Sequence, residues 1–221
     1  MFRILIASPK GGSGKSTLAM NLAGMLAARK QRVLITDLDK QHTATLWESA
    51  RTEILPRIFS RTEETDAAAL RAFAPRWQVI DTAARLRRAD RTQLLSRANV
   101  MLVPIRPSVY DIEATAKFLN RVLQNPNVQS GKVAVALVGI RVDGRTRIGK
   151  ELASFFEKIN VPVIGFIADS PLYPQCALDG TSIFDLPGSR TAQHTDAWQP
   201  VIAWLKTQLA RARSQQERSA N

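Results

Sequence analysis

The sequence predicts an α/β fold, with a mostly parallel twisted sheet of about seven strands and helices on both faces. Three observations carry this. Short apolar runs alternate with helical patterns along nearly the whole chain. A glycine-rich turn, residues 9–17, stands between the first apolar run and the first helical pattern. Aspartates close two later runs, at the strand ends where open parallel sheets bind their ligands.

The chain has 221 residues, enough for one domain with a full core. We expect residues 1–213 to form that domain and 214–221 to be a polar, disordered tail. Cys176 is the single cysteine, so no internal disulfide and no thiolate-held iron–sulfur cluster can form. The first strand begins at once, without a basic-then-apolar leader, so no signal peptide is expected. No apolar run approaches ~20 residues, so a spanning helix is excluded and a cytoplasmic location is expected. Lys and Arg number 31 against 19 Asp and Glu, a formal charge of +12. That excess favours a polyanionic partner, nucleic acid first and anionic lipid second.

Residues 3–8 read as a buried strand and 15–29 as the first helix. Between them stands Pro9-Lys10-Gly11-Gly12-Ser13-Gly14-Lys15-Ser16-Thr17. Glycines let a backbone curl with its N–H groups inward around an anion, and the helix N-terminus beyond adds partial positive charge. Lys15 would reach the β- and γ-phosphates of a nucleotide, and the Ser16 hydroxyl a Mg²⁺ ion. The ordinary phosphate-loop spacing, G-x-x-x-x-G-K-S/T, fails at one place, because its first glycine falls on Pro9. A second lysine, Lys10, opens the loop instead. The fold implied is the three-layer P-loop NTPase type.

Residues 32–36 form the second run and end in Asp37-Leu38-Asp39-Lys40-Gln41. Asp37 and Asp39 point the same way on an extended backbone. One can support a Mg²⁺ water shell and the other orient an attacking water. Residues 43–50 read as a helix, 54–59 as an edge strand that tolerates Pro56, and 63–73 as a helix capped by Thr62. Residues 76–82 are apolar and end in Asp81, the pattern of a carboxylate that holds Mg²⁺ through water. Residues 86–98 are a basic helical segment with Arg87, Arg88, Arg91 and Arg97, preceded by Arg85. They form either a solvated face or a contact for partner protein or DNA.

Residues 99–105 are another strand, followed by a helix to about residue 124. Ser108 is its natural N-cap, with Asp111 at the third helical position. Asn125-Pro126 stops it. Residues 132–140 are a strand, then a helix runs to Lys158; Arg141, Arg145, Arg147, Lys150 and Lys158 form a second basic group around Asp143-Gly144. Residues 161–167 are the last strand, and Asp169-Ser170-Pro171 opens a short helix. A final helix is expected over 191–213, bent at Pro200, with Trp198, Ile202, Leu205 and Leu209 as one apolar stripe packed on the sheet.

The loop resembles the deviant Walker A motif of the ParA/MinD family of ATPases, K-G-G-x-x-K-S/T. The likeness extends over residues 2–210: D-x-D at 37–39, the Asp81 strand, P-x-x-P-S-x-x-D at 104–111, and G-x-S at 180–182. It implies ATP and Mg²⁺ as cofactors, bound by Gly11, Gly12, Ser13, Gly14, Lys15, Ser16 and Thr17, with Ser16, Asp37 and Asp81 at the metal. It implies Asp39 as the catalytic carboxylate, and Lys10 as a cation that reaches the partner's nucleotide in an ATP-bridged homodimer. Arg141 and Asp169, at the ends of the last two strands, would border the base. Three positions depart from the family: Lys40 for proline, Ala83-Ala84-Arg85 for a proline–glycine turn, and Arg141 where asparagine is common. The leading reading is a small ParA-type ATPase that binds DNA non-specifically on the nucleoid and partitions plasmid or chromosomal DNA. A centromere-binding or cargo-adaptor protein would stimulate its slow hydrolysis. One alternative keeps the engine and positions a protein cargo, such as a microcompartment or chemoreceptor cluster. Others are a membrane-surface switch of MinD type, for which a membrane partner is not expected here, and an inert DNA-coating protein.

Overall fold

The computed structural model describes residues 1–61, 65–84, 86–142, 145–157 and 160–220. In chain order the elements are β1 (Phe2–Ile6), α1 (Lys15–Ala28), β2 (Val33–Leu38), α2 (Thr43–Ser49), β3 (Ile58–Arg61) and α3 (Ala67–Phe73). Then come β4 (Trp77–Thr82), α4 (Arg88–Arg97), β5 (Val100–Ile105), α5 (Val109–Leu123) and α6 (Pro126–Gln129). The chain ends with β6 (Ala134–Ile140), α7 (Arg147–Glu157), β7 (Val163–Ile167), α8 (Leu172–Leu178), α9 (Gly188–Asp196) and α10 (Gln199–Ala220).

Among the described residues the strands form one seven-stranded sheet in the order β3-β2-β4-β1-β5-β6-β7, and every pairing is parallel. The apolar strand runs are buried on both faces, as a parallel sheet requires. One face packs against α1, α2, α8 and α10 through Leu18, Trp47, Tyr173 and Val201. The other packs against α4, α5 and α7 through Leu95, Phe118, Leu119 and Leu152. This is the three-layer α/β architecture the sequence predicts. Helix α1 is buried from Leu18 to Ala27 on all sides, because it is apolar all round and lies between the sheet and its neighbours.

The sheet order matters for the site. The chain winds outward from β1 in both directions, with β4 on one side and β5 on the other. That reversal opens a crevice at the carboxyl ends of the strands, above β1.

Several elements differ from the sequence reading. The edge strand begins at Ile58, after Pro56, so the proline, which has no N–H to donate, stays outside the ladder with β2. The expected cap Thr62 and the start of its helix at Glu63 lie outside the described residues; Asp66 caps α3, accepting from the Ala68 N–H at 2.8 Å. Pro126 stops α5 and also starts α6, at a first-turn position where its missing N–H costs nothing. The single helix expected over 191–213 is two, α9 and α10. Pro200 lies in the first turn of α10 and bends nothing. Helix α10 also continues through residues 214–220, where a separate tail is expected from the sequence. Its turn up to Leu209 and Ala212 packs on the core, and the polar residues beyond propagate a helix already nucleated. Arg85, Asp143, Gly144 and Lys158, singled out above, lie outside the described residues.

Candidate nucleotide-binding site

The loop between β1 and α1 takes the conformation its glycines permit. Gly12 and Gly14 lie in the left-handed region, at φ 69° and 90°. A Cβ on Gly14 would also stand 2.8 Å from the Ile140 side chain. Ser13 turns inward; its hydroxyl is 2.6 Å from that of Ser8, and Ser8 donates to the Lys10 carbonyl at 3.0 Å. Both serines are buried, so this pair pins the loop from beneath and leaves Gly11 and Gly12 at the surface. Ser8 has no motif signal, and the sequence gives no cue to its role.

Helix α1 starts at Lys15 with no side chain capping it, so its first N–H groups remain directed at the crevice. Lys15 is buried, and its ammonium lies 3.5 Å from the Lys10 carbonyl. Burial lowers its pKa, while Asp81 and then Asp39 oppose that shift. Both carboxylates therefore sit within electrostatic reach of Lys15, as the sequence reading expects.

Asp81, the last residue but one of β4, is in register with Ile6 on one side and Asp37 on the other. It is fully buried, and neither carboxylate oxygen has a hydrogen-bond partner among the described residues. Burial raises its pKa to about 6; nearby Ser16 offsets part of this, without a hydrogen bond at the Asp81 oxygens, and Asp37 adds to it. An orphaned buried carboxylate facing a hydroxyl is costly in isolation and fits a divalent cation. Among the described residues no cluster of three acidic, histidine or cysteine side chains could cage a metal. A Mg²⁺ site completed by phosphate oxygens and water needs no such cage, and Ser16 with Asp81 suits it.

Asp37, expected at the metal, also anchors the loop that follows it. Its Oδ1 accepts from the Asp39 N–H at 2.9 Å, and its Oδ2 from the N–H groups of Ala44 at 2.9 Å and Thr45 at 3.1 Å. Those bonds cap the start of α2 and bind the loop 39–42 to the strand end. The carboxylate is held by three backbone donors, which fixes it at the strand end beside Asp81. Asp39 is half-buried; among the described residues its side chain accepts only from the Gln41 N–H, at 3.2 Å, and it lines the crevice with Lys40 and Gln41.

The crevice has a volume of about 730 Å³ and runs from Gly11–Thr17 past Asp39 to Arg141, Asp169 and Tyr173. Arg141 Nε lies 3.4 Å from Asp169 Oδ1, with 52% and 72% of their side chains exposed. Both line the same crevice as Lys15. Arg141 has φ 58°, a conformation that asparagine tolerates better than arginine. Lys10 is not free: its ammonium is 3.1 Å from Asp111 Oδ1 and 5.9 Å from the centre of the Tyr110 ring. The sequence assigns Asp111 to helix capping, and Ser108 does cap α5, but the Asp111 carboxylate faces the loop instead.

Residues 4–183 match the CobQ/CobB/MinD/ParA nucleotide binding domain. The chain belongs to this family. The Halothiobacillus neapolitanus protein named maintenance of carboxysome distribution protein A is 25% identical over 210 residues, covering 91% of this chain and 94% of its own. Its namesake from Gloeobacter kilaueensis is 28% identical over 197 residues, covering 86% and 87%. Among solved structures, an ATP complex of a Cyanothece McdA variant superposes with a TM-score of 0.70 at 16% identity, covering 95% of this chain and 96% of that one. This last likeness bears on the fold, and it places the α/β sandwich described above with the ParA/MinD-type P-loop proteins.

Proposed function

We propose that this chain is a Mg²⁺-dependent ATPase that dimerises around ATP, binds DNA non-specifically and positions a cargo on the nucleoid, with a partner protein stimulating hydrolysis. The observation that carries it is the orphaned Asp81 carboxylate near Ser16, beside a loop whose Gly12 and Gly14 take the left-handed backbone that a phosphate-cradling turn uses. Mg²⁺, when bound, neutralises charge on the β- and γ-phosphates. Lys15 adds a cation to the same phosphates, held by burial so that it need not reorganise. Asp39, with one weak backbone donor, keeps a free oxygen to orient an attacking water. Lys10 supplies charge to the partner's nucleotide once released from Asp111. A single protomer brings no complete water-activating set, which fits slow turnover until a partner docks.

Of the two cargo readings, protein assembly is favoured over plasmid or chromosome. Two relatives named for carboxysome distribution match over nearly their whole lengths. The membrane reading is disfavoured, because Trp198, Val201, Ile202 and Leu205 of the terminal segment are buried against the sheet. No helix among the described residues is long and apolar enough to cross a membrane. In the second basic group, Arg147 is already paired with Glu151 at 2.7 Å and Arg141 with Asp169, so the DNA surface is expected on other basic side chains that project from the surface.

The test is calorimetry with ATP and ADP in the presence and absence of Mg²⁺, followed by light scattering and DNA titration at two salt concentrations. Binding of ATP, a mass doubling with ATP but not ADP, and salt-sensitive DNA binding are the expected results. No uptake of either nucleotide would end this reading.

A further inference from the structure

A recess of about 600 Å³ lies between α4 and the end of α5, and it shares no lining residue with the nucleotide crevice. Arg88 and Arg91 enter it from α4 and Arg121 from α5, while Leu86 and Pro126 supply apolar wall. Arg88 and Arg121 are exposed. Arg91 is half-buried, its guanidinium 5.8 Å from the centre of the Phe118 ring. Among the described residues none of the three arginines forms an ion pair, and the recess has no acidic lining residue. Burial, then the Arg121 and Arg88 charges, lower the pKa of Arg91. Some cations elsewhere are paired, such as Arg51 with Asp185, Lys117 with Glu113 and Arg147 with Glu151. Three like charges gathered around one hollow repel one another unless an anion enters it.

We propose that this recess is the docking site for an acidic peptide segment of a partner protein, with apolar residues between its carboxylates, received by the guanidinium forks of Arg88, Arg91 and Arg121. Shape decides for a peptide over duplex DNA. Backbone phosphates sit on a convex cylinder and meet projecting side chains. Arg91 is set back between two helices, where a glutamate or aspartate on a flexible segment can enter and a duplex cannot. A guanidinium stacked on an aromatic ring and partly desolvated is the kind of anchor that dominates protein interfaces. Helix α4 follows directly from the segment that leaves Asp81, and Leu86 in the recess wall packs on the core beneath α4. A partner seated here therefore touches the chain's link to the nucleotide site. Only that link rests on the ATPase reading; peptide docking does not.

The full chain is titrated at about 0.15 M salt, where charges beyond about 8 Å are largely screened, with a fluorescein-labelled decapeptide of alternating glutamate and leucine, its glutamine–leucine counterpart, and a labelled DNA duplex. The glutamate peptide is expected to bind about tenfold tighter than the glutamine peptide, the worth of one charge-assisted hydrogen bond. Arg91→Glu with Arg121→Glu should abolish that preference and leave DNA affinity within about twofold. Arg91→Gln with Arg121→Gln repeats the measurement should the reversal fail to fold. A preference unchanged in a folded variant overturns the proposal. So does a DNA affinity that falls as far as the peptide affinity, since the recess would then be a DNA contact. Loss of ATP binding, read separately by calorimetry, bears on the ATPase reading alone.

Discussion

The Lys10 ammonium rests 3.1 Å from the Asp111 carboxylate, so the lysine that opens the phosphate loop is held by the first turn of α5 within its own chain. The two side chains are 39% and 19% exposed, which limits the pair to about 1 kcal/mol. Asp111→Ala should therefore raise the dimer fraction at sub-saturating ATP by up to about fivefold, because Lys10 no longer has to leave a partner. Lys10→Ala should fold normally and stay monomeric with ATP. Light scattering against ATP concentration checks both. A monomeric Asp111→Ala would mean that Asp111 acts in the dimer rather than in the resting chain.

Asp81 carries a pH dependence whose sign is fixed by its raised pKa. Its folded value is about 6, against about 3.9 in an unfolded chain. Below the unfolded value both states are protonated and the group is neutral to stability. Above pH 6 the folded chain holds an unpaired buried charge, a cost on the order of 2–3 kcal/mol. Without nucleotide, this group should make the protein more stable at pH 5 than at pH 7.5, and Asp81→Asn should raise the melting temperature at pH 7.5 while removing Mg²⁺-dependent nucleotide binding. Thermal melts across pH, with and without Mg²⁺ and ATP, provide the readout. An Asp81→Asn protein that melts lower at pH 7.5 contradicts the assignment.

Gly14 joins a left-handed backbone to a close approach by Ile140. Gly14→Ala should cost about 1–3 kcal/mol and weaken nucleotide binding. Adding Ile140→Val should recover part of the stability, where the contact is relieved, and none of the cost set by φ. Chemical denaturation of the two variants separates the contributions.

Arg51 and Asp185 form a buried bidentate ion pair, at 2.9 and 2.8 Å, with 3% and 1% of the side chains exposed. Arg51 also donates to the Gly180 carbonyl at 3.1 Å, and Trp47 to that of Thr181 at 2.7 Å, so the region after α2 is tied to the segment beyond α8. Arg51→Ala alone should destabilise by about 3–5 kcal/mol, since it strands Asp185. Arg51→Met with Asp185→Leu should restore most of that loss in denaturant melts.

Local chemistry made much of this protein legible in its sequence. The alternation of apolar runs and helical patterns sets the α/β class, and the spacing of glycines and lysines over residues 10–16 sets a phosphate loop, because backbone conformation and charge at those positions depend on residues next to one another. Asp81 at the end of its apolar run followed from the same kind of adjacency. Tertiary structure alone decided what each side chain meets. Strand order put β5 beside β1 and so brought Asp111 to Lys10; parallel register set Asp37 opposite Asp81 and left the first for α2 and the second without a partner. Arg88, Arg91 and Arg121 are scattered in sequence and meet only because α4 and α5 lie side by side on one face of the sheet. Contacts between distant segments depend on how the layers close, and no pattern of neighbours along the chain encodes that.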